Sequence, residues 1–216
     1  DIFRINLSHT KKKNLIKSKI LYLKKNNIKN ICIDTEGVQI RTTECKKKYY
    51  LNKNKVIKIS NTERKSNATE ISLYPKFDLL SVKINSIIHI GFNNLELRVL
   101  RTIKDKNLLI CKVLKSGYLE SKKGVHIKCN IKLPALTDKD IFALKIATKY
   151  NINYYAISFV NSHEDLIFVK KYVNKKSKII SKIETNNAIK NLRNISKFST
   201  ALLIDRGDLS RYIPIE

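Results

Sequence analysis

Apolar positions along the chain follow two different patterns, and the change between them divides the sequence into three parts. Up to about residue 42, and again from about residue 131, short apolar runs alternate with longer segments in which apolar residues recur with a helical period. Between them, residues 43–130 contain short β-type runs separated by polar turns. Strands that alternate with helices are typical of βαβ units, whereas successive short strands are typical of an all-β domain.

The two outer parts, 1–42 and 131–216, are predicted to form one α/β domain with a parallel sheet. Strands are predicted at IFRINL, NICIDTEG, YYAISFV, KIISKIE and TALLIDRGD, and helices at KKKNLIKSKILYLKKNN, LTDKDIFALKIATKYN, SHEDLIFVKKYV and TNNAIKNLRNISKF. In the first helix the inward face is predicted to carry Leu15, Ile16, Ile20 and Leu23. Thr137 or Asp138 is predicted to cap the second helix, whose inward residues are Ile141, Leu144 and Ile146.

The middle part, 43–130, is predicted to be a small all-β domain inserted after the second strand of the α/β domain. Its clearest strand candidates are KVIKIS, SIIHIGF, LELRVLRTI and NLLICKVL. The polar stretch NTERKSNATE at 61–70 is expected to form a flexible loop without chemistry.

Composition limits the class of protein. The 43% hydrophobic content is ordinary for a folded protein, and no uncharged apolar run approaches the roughly 18 residues that a membrane span needs. The N-terminus, DIFRINLSHT, has neither the basic start nor the apolar core of a signal peptide. Because the 216 residues start with aspartate and contain no methionine, the chain is expected to be an internal piece of a longer protein.

The net charge of +26 is the largest departure from an average composition. Such a charge suggests nucleic acid or an anionic membrane as a partner. However, eight of the 44 basic residues are arginine and 36 are lysine, and the lysines lie in short scattered runs without interleaved aromatic residues. The bias towards Lys, Asn and Ile is what an AT-rich genome produces. We therefore expect only weak, salt-sensitive adhesion to polyanions, with no specific nucleic acid and no membrane partner.

The four cysteines show no C-x-x-C pairing. Cys32 and Cys111 lie inside apolar strand candidates, where cysteine behaves as a small core residue. Metal or disulfide roles are not expected for these two or for Cys45 and Cys129, and a reducing compartment is the simpler inference.

Polar residues stand at the carboxyl ends of the strands predicted for the α/β domain. In KIISKIE, alternation sends Lys182 and Glu184 to one side and Ile183 to the other. The carboxyl ends of parallel strands form the site-bearing face of β/α folds. The residues that this rule gathers are Arg4, Asn6, Ser8, Asp34, Thr35, Lys182, Glu184, Arg206 and Asp208.

This set of side chains suits an anionic ligand that is held together with cations. Glu184 and Asp208 supply the hard oxygen ligands that Mg²⁺ takes along with substrate oxygens and water. Lys182 can then neutralise charge on a reacting phosphoryl group or enolate. The purely structural alternative is that Lys182 and Glu184 form a simple ion pair, and that residues such as Thr137 and Asp138 cap helices.

Six blocks of the sequence resemble, in order and spacing, those of the pyruvate kinase family: FRINLSHT, ICIDTEGVQIRT, KLPALTDKDIFAL, YAISFV, IISKIET and DRGDLSRYIPIE. The resemblance covers essentially the whole chain and is weakest in the middle part. It implies a partial TIM-type (β/α)8 barrel with an inserted all-β lid domain. It also implies phosphoryl transfer from phosphoenolpyruvate to ADP, giving pyruvate and ATP, with Mg²⁺ (or Mn²⁺) and K⁺ as cofactors.

The resemblance also implies roles for single residues. Lys182 is similar to the lysine that stabilises charge on the transferred phosphoryl group, and Arg4 to a substrate-binding arginine, while Gly207 would offer its backbone N–H to the substrate. Glu184 and Asp208 are similar to the Mg²⁺ carboxylates. The K⁺ site would be formed by Asn6, Ser8, Asp34 and Thr35, and the nucleotide contacts by His9, Arg41 and Lys123.

The chain departs from the family pattern at several positions. The stretch HIGFNN, around Ile90, Gly91 and Phe92, lacks both aspartates of the Asp-Asp-Gly turn usual in the family's lid. Gln39 stands where K⁺-dependent members have glutamate, which puts the K⁺ dependence in question. Asp205 replaces an alanine, and its carboxylate should repel an anionic substrate unless it points away. Ser210 replaces a glycine.

The resemblance implies that the barrel's first strand and last two strands lie outside this sequence, so the fragment alone is expected to be inactive and prone to aggregation. The full-length protein is expected to be a cytoplasmic homotetramer, with a plastid-type organelle of an AT-rich parasite as the alternative location. Besides an active pyruvate kinase, two hypotheses stay open. One is a catalytically degenerate relative with a binding or structural role, and the other is a basic protein that binds polyanions.

Overall fold

The computed structural model describes residues 1–10, 12–62, 64–91, 94–127, 129, 131 and 133–209. The chain forms two compact units, of which one comprises Asp1–Val38 with Pro134–Glu216 and the other comprises Gln39–Leu133. The predicted insertion, 43–130, lies within the second unit. Two positions at which the sequence departs from the family pattern, Phe92 and Ser210, lie outside the described residues.

The first unit begins with one strand–helix–strand segment. Its elements are β1 (Phe3–Asn6), α1 (Lys13–Lys25) and β2 (Ile31–Asp34). Ile16 and Ile20, one helical turn apart, are fully buried, and Leu23 packs against the same core. Leu15 is 44% exposed, so its predicted place on the inward face is wrong. The residue lies about 100° around the helix from Ile16, which moves it beyond the narrow buried stripe.

The described residues of the second unit form strands and two single-turn 3₁₀ segments. Its strands are β3 (Arg41–Thr42), β4 (Tyr49–Leu51), β5 (Val56–Ser60), β6 (Glu70–Tyr74), β7 (Ile87–Ile90), β8 (Leu95–Ile103), β9 (Leu108–Lys115), β10 (Gly117–Leu119) and β11 (Val125–Ile127). They form a seven-stranded sheet in the order β11-β7-β8-β9-β5-β6-β3 and a separate β10-β4 pair. In the stretch predicted as a flexible loop, Ser66 is buried and its hydroxyl lies 2.9 Å from that of Thr43. The end of that stretch starts β6.

The two ends of the seven-stranded sheet meet. Arg41 in β3 forms an antiparallel bridge with Gly124, directly before β11. The Val125 N–H donates to the Ile40 carbonyl at 2.8 Å, and the Thr42 N–H donates to the Lys123 carbonyl at 2.9 Å. The sheet is therefore a nearly closed barrel, in which few backbone groups are left unpaired at an edge.

The first unit continues after the insertion with α2 (Asp138–Lys149), β12 (Tyr154–Ile157), α3 (His163–Lys170), β13 (Lys178–Ile183), α4 (Asn186–Lys190), α5 (Leu192–Phe198), β14 (Ala201–Ile204) and α6 (Arg206–Leu209). Of the two candidate caps of α2, Thr137 is the N-cap, and it forms a capping box with Asp140. The buried face of α2 is centred on Ala143, Leu144 and Ala147, while Ile141 and Ile146 pack against its margin.

Asp140 also connects α2 to the loop that follows β2. Its side chain is fully buried and accepts backbone hydrogen bonds from Glu36 at 2.8 Å and from Gly37 at 3.2 Å, in addition to the capping bond from Thr137 at 3.1 Å. Burial raises the pKa of the Asp140 carboxyl, and the hydrogen bonds oppose that effect.

The segment predicted as one helix, TNNAIKNLRNISKF, forms the two short helices α4 and α5. Asn191 stands between them with φ −101° and ψ 9°, and its side-chain amide donates to the Asn161 carbonyl at 2.9 Å. The prediction of a continuous helix is wrong because this side chain is anchored to the preceding loop, and because its backbone leaves the helical region.

The strands of the first unit form one parallel sheet in the order β1-β2-β12-β13-β14. Each strand is followed by one or two helices, so the unit consists of successive βα steps of a (β/α)8-type barrel, and the predicted α/β class is confirmed. Both edge strands expose apolar side chains, among them Phe3 in β1 and Ile204, 66% exposed, in β14. None of the described helices combines the length and the apolar composition needed to cross a lipid bilayer.

Candidate active site

The centre of the site is the pair formed by Lys182 and Glu184 at the end of β13. Ile183 is buried in the core, while the two charged side chains turn to the opposite side, as strand alternation requires. Lys182 Nζ lies 2.8 Å from Glu184 Oε1 and donates to Ser158 Oγ at 3.1 Å. The Lys182 side chain is 12% exposed and the Glu184 side chain 1%. The pair is thus largely desolvated, and each charge depends on the other.

Two further carboxylates face the same ammonium. Lys182 Nζ lies 3.9 Å from Asp34 Oδ1 and 3.7 Å from Asp205 Oδ2. Asp34 ends β2, and its second oxygen lies 3.5 Å from Arg4 Nη1 of the neighbouring strand β1. The carboxyl ends of β1, β2, β13 and β14 therefore bring residues from distant parts of the sequence to one place, because parallel strands all end at the same edge of the sheet.

Burial and charge have different net effects on the ionisable groups of this cluster. Burial disfavours the Lys182 ammonium, but its hydrogen bond with Glu184 and the charges of the nearby carboxylates outweigh burial and raise the pKa of Lys182. For Glu184 and Asp34, burial dominates and raises the pKa of each carboxyl, while the Lys182 ammonium opposes the effect. Lys182 therefore stays protonated at neutral pH.

The backbone that follows β12 fixes the position of Glu184. The Phe159 N–H donates to Glu184 Oε2 at 2.6 Å, with Phe159 in the left-handed region at φ 54°. Gly37, at φ 67°, packs closely against this turn, since a Cβ atom at Gly37 would lie 2.7 Å from Phe159 Cδ2. A side chain at residue 37 would thus displace the peptide that orients the carboxylate.

Three carboxylates at this edge are close enough to share a cation. Oxygens of Glu184, Asp205 and Asp208 lie within 4.8 Å of one another. Carboxylate oxygens are the ligands that Mg²⁺ and Mn²⁺ take in proteins, so the donor set fits the metal implied by the resemblance. The two predicted Mg²⁺ ligands, Glu184 and Asp208, are brought together, and Asp205 joins them.

Asp205 points into the site, towards Lys182. Its carboxylate is therefore placed to repel an anionic substrate. Its Oδ1 accepts backbone hydrogen bonds from Gly207 at 3.2 Å and from Asp208 at 3.4 Å. Its Oδ2 is the oxygen that approaches Lys182. The Gly207 N–H, which the sequence predicts as a substrate donor, therefore binds Asp205 in this structure.

The residues predicted to hold K⁺ lie around the ends of β1 and β2. Asn6 and Asp34 are paired across the two strands, and Asn6 Oδ1 accepts the Ser8 N–H at 2.8 Å. Thr35 is buried, and its hydroxyl accepts the Ser158 N–H at 2.8 Å. Asp34 Oδ1 is buried and has no hydrogen-bond partner in the part of the chain that the structure describes. Such an oxygen suits a cation, and the Lys182 ammonium already faces it at 3.9 Å. The side-chain oxygens of Asn6 and Thr35 accept hydrogen bonds instead.

The predicted nucleotide contacts do not form one group within either unit. His9 lines a cleft of about 560 Å³ between β1 and α1, together with Arg4 and Asn6. Arg41 and Lys123 belong to the inserted unit, as does Gln39. There Arg41 Nη1 donates to the Lys122 carbonyl at 3.1 Å, and Lys123 Nζ lies 3.0 Å from Glu120 Oε2.

Sequence reasoning assigned no role to Ser158 or Phe159, although both contact the central ion pair. Both directly follow the β12 strand, in the block YAISFV, so the rule that site residues follow parallel strands could have identified them. Asp140 was missed for a different reason, since its contact with the loop after β2 depends on residues about a hundred positions away.

Comparison with known proteins agrees with the resemblance. A family model described as "Pyruvate kinase, barrel domain" matches residues 1–216. The whole chain is 30% identical to a pyruvate kinase of Thermotoga maritima, of which it covers 48%, and 30% identical to one of Staphylococcus epidermidis, of which it covers 38%. It is also 30% identical to a pyruvate kinase of Methanocaldococcus jannaschii, of which it covers 46%. The chain therefore spans about half or less of the length of these curated relatives.

Proposed function

The chain belongs to the pyruvate kinase family, and on that premise we propose that the complete polypeptide containing it transfers a phosphoryl group from phosphoenolpyruvate to ADP, the last step of glycolysis. The observation that carries this proposal is the ammonium of Lys182, 2.8 Å from Glu184 and on the same sheet edge as the Asp208 carboxylate. Phosphoryl transfer requires positioning and charge stabilisation more than a protein nucleophile, and this set of residues supplies both.

Lys182 is the residue that stabilises developing negative charge. Its raised pKa keeps it protonated, and its low exposure strengthens its interaction with an anion compared with the same pair in water. Ser158 and Glu184 fix the direction of the ammonium through contacts at 3.1 Å and 2.8 Å. Arg4, whose exposed side chain reaches Asp34 from β1, is a second cation for an anionic substrate.

Glu184 and Asp208 would hold Mg²⁺ or Mn²⁺, which when bound supplies further positive charge to phosphoryl oxygens. Within the protein, the Phe159 N–H holds Glu184 in the required orientation. Asn6, Ser8, Asp34 and Thr35 are the proposed K⁺ residues. Asp34 Oδ1 supports that role, because it is buried, accepts no hydrogen bond from the described residues and already faces a positive charge, the Lys182 ammonium at 3.9 Å. His9, Arg41 and Lys123 remain proposed nucleotide contacts.

A coupled assay of ADP-dependent pyruvate release from phosphoenolpyruvate tests the proposal. Lys182→Ala is expected to lower turnover by roughly 10²–10³-fold, the usual effect of removing one charge-stabilising group. Lys178→Ala is the matched control, because Lys178 is an exposed lysine in the same strand. Equal turnover of the Lys182→Ala and Lys178→Ala proteins would contradict the proposal.

The contact between Asp205 and Lys182 favours a second candidate, a degenerate relative that no longer binds the substrate. In that case phosphoenolpyruvate with Mg²⁺ would not shift the thermal unfolding of the parent protein, and pyruvate would not be released. Substrate-dependent stabilisation together with turnover would exclude this candidate.

A further inference from the structure

Asp205 binds two of the groups that the proposed function assigns to the substrate. Its Oδ1 accepts the Gly207 N–H at 3.2 Å, and its Oδ2 lies 3.7 Å from Lys182 Nζ. Carboxylates and phosphates are both anions that bind such donors. The Asp205 carboxylate therefore contacts the same groups that an anionic group of the substrate would contact.

The three carboxylates around Lys182 differ in their freedom to move. The side chains of Glu184 and Asp34 are 1% and 2% exposed, whereas that of Asp205 is 33% exposed. Asp205 also stands in the short connection between β14 and α6, outside regular structure. Of the three, it is therefore the one that can leave the ammonium without abandoning a buried position.

We propose that Asp205 is an internal competitor for the anionic substrate, whose carboxylate must withdraw from Lys182 and Gly207 before a phosphate or carboxylate group can bind there. This inference rests on the proposed function, because that function assigns the same donors to phosphoenolpyruvate. Asp205 thus sets the affinity for the substrate and is not required for the reaction itself.

The proximity of Glu184 and Asp208 offers Asp205 a different role, that of a third metal ligand. The contacts favour competition, because both oxygens of Asp205 already face donors. Oδ1 accepts backbone N–H groups of Gly207 and Asp208, and Oδ2 approaches an ammonium. A cation held by Oδ2 would compete with the Lys182 ammonium for the same oxygen, since the two positive charges repel each other.

The test compares Asp205→Asn with the parent sequence in the complete polypeptide. Asparagine keeps the size of the side chain and an oxygen that can accept the Gly207 N–H, and it is as suitable as aspartate directly before a helix such as α6, so the change isolates the charge. Asp105→Asn is the control, since Asp105 is an exposed acid of the inserted unit and its loss changes the net charge equally.

Isothermal titration with phosphoenolpyruvate in the presence of Mg²⁺ gives the first readout. Asp205→Asn is expected to bind the substrate about tenfold more tightly, equivalent to about 1.4 kcal/mol, while Asp105→Asn is unchanged. In the coupled assay the KM for phosphoenolpyruvate should fall with the KM for ADP unaltered. Unchanged or weaker substrate binding by Asp205→Asn would overturn the proposal.

Titration with Mn²⁺ alone gives a second, independent readout. Loss of Mn²⁺ affinity in Asp205→Asn without tighter substrate binding would make Asp205 a metal ligand and refute competition. If the parent binds the substrate and Lys182→Ala does not, a lack of tightening in Asp205→Asn refutes this inference alone. If neither the parent nor Asp205→Asn binds phosphoenolpyruvate, the proposed function and the inference both fail.

Discussion

The two units of the chain differ in how the edges of their sheets are covered. The inserted unit joins the ends of its sheet through the Arg41–Gly124 bridge. Its buried apolar residues form one core cluster. The parallel sheet of the other unit has two edge strands with exposed apolar side chains, and all four residues of β14 are exposed. Yet the lysine and carboxylate cluster belongs to this more open unit. Closure of a sheet and the placement of chemistry are thus separate properties of the same chain.

The charged cluster lies in the parallel unit for a geometric reason. All its strands end at the same edge, so residues far apart in sequence, such as Asp34, Glu184 and Asp205, converge there. In the largely antiparallel sheet of the inserted unit, neighbouring strands end at opposite sides of the sheet. Its ion pairs are small and local, such as Lys122 with Glu44 and Glu120 with Lys48 and Lys123.

The largest expected effect tests whether the cluster of Lys182 and Glu184 in the parallel unit carries the role proposed for it. Glu184→Gln should reduce turnover by roughly 10²–10³-fold, because it removes the carboxylate that orients the Lys182 ammonium and that is proposed to hold the metal. It should also weaken Mn²⁺ binding measured by titration without substrate. Glu44→Gln, an exposed acid of the inserted unit, is the matched control and should leave both quantities unchanged. A comparable loss of turnover in Glu44→Gln would show that the effect is not specific to the cluster in the parallel unit.

The second effect concerns stability. Asp140→Ala should lower the free energy of unfolding of the parallel unit by about 2–3 kcal/mol, since it leaves buried backbone N–H groups without an acceptor. Urea unfolding monitored by labelling of Cys32 measures this loss, while Cys111 reports on the inserted unit. Asp138→Ala, an exposed acid in the first turn of α2, is expected to cost at most about 1 kcal/mol. Equal costs of the two substitutions would refute the special role of Asp140.

The third effect compares the opening of the two units directly. Burial raises the pKa of Cys32 to about 11 and that of Cys111 to about 12, so both thiols should react with iodoacetamide at pH 8 only when their unit opens. In the complete polypeptide, with Cys45, Cys129 and any cysteine outside these 216 residues replaced by serine, Cys32 should be labelled about tenfold faster than Cys111, a difference of about 1.4 kcal/mol in opening free energy. Faster labelling of Cys111 would reverse the comparison.

The smallest effect is a dependence on pH in the parallel unit. Because burial raises the pKa of Asp140 in the folded state, the folded protein binds the proton more strongly than the unfolded chain does. The contribution of this carboxyl to stability is therefore largest below its unfolded pKa and decreases as the pH rises through the folded pKa. Thermal unfolding followed by circular dichroism should show that the melting temperature decreases less steeply with rising pH in Asp140→Asn than in the parent protein. An identical slope in the two proteins would contradict the role given to the Asp140 carboxyl.

The sequence was sufficient to predict features that depend on short periodic patterns. Alternation in KIISKIE placed Lys182 and Glu184 on one side of a strand, and the βα order predicted that their partners would be found at other strand ends. The family match and the fold confirm the α/β class. The assignment of single residues to substrate, Mg²⁺, K⁺ and nucleotide stays a prediction.

Features that depend on distant contacts could not be predicted in this way. The break between α4 and α5 follows from the bond between Asn191 and the Asn161 carbonyl. The orientation of Asp205 depends on the backbone N–H groups that α6 presents after β14. The edge-joining pairs of the inserted unit combine residues about eighty positions apart, a separation at which local propensity carries no information.

The closeness of the two ends of the inserted segment bears on how such an insertion can be acquired or lost in evolution. Its chain enters at Ile40 and approaches its exit at Val125, and these two residues share a backbone hydrogen bond of 2.8 Å. A module whose entrance and exit are neighbours can be lost, gained or exchanged within a loop of a host protein without stretching that loop. Segment 40–125 therefore has the form of a self-contained insertion, whose sequence can diverge independently of the parallel unit that carries it.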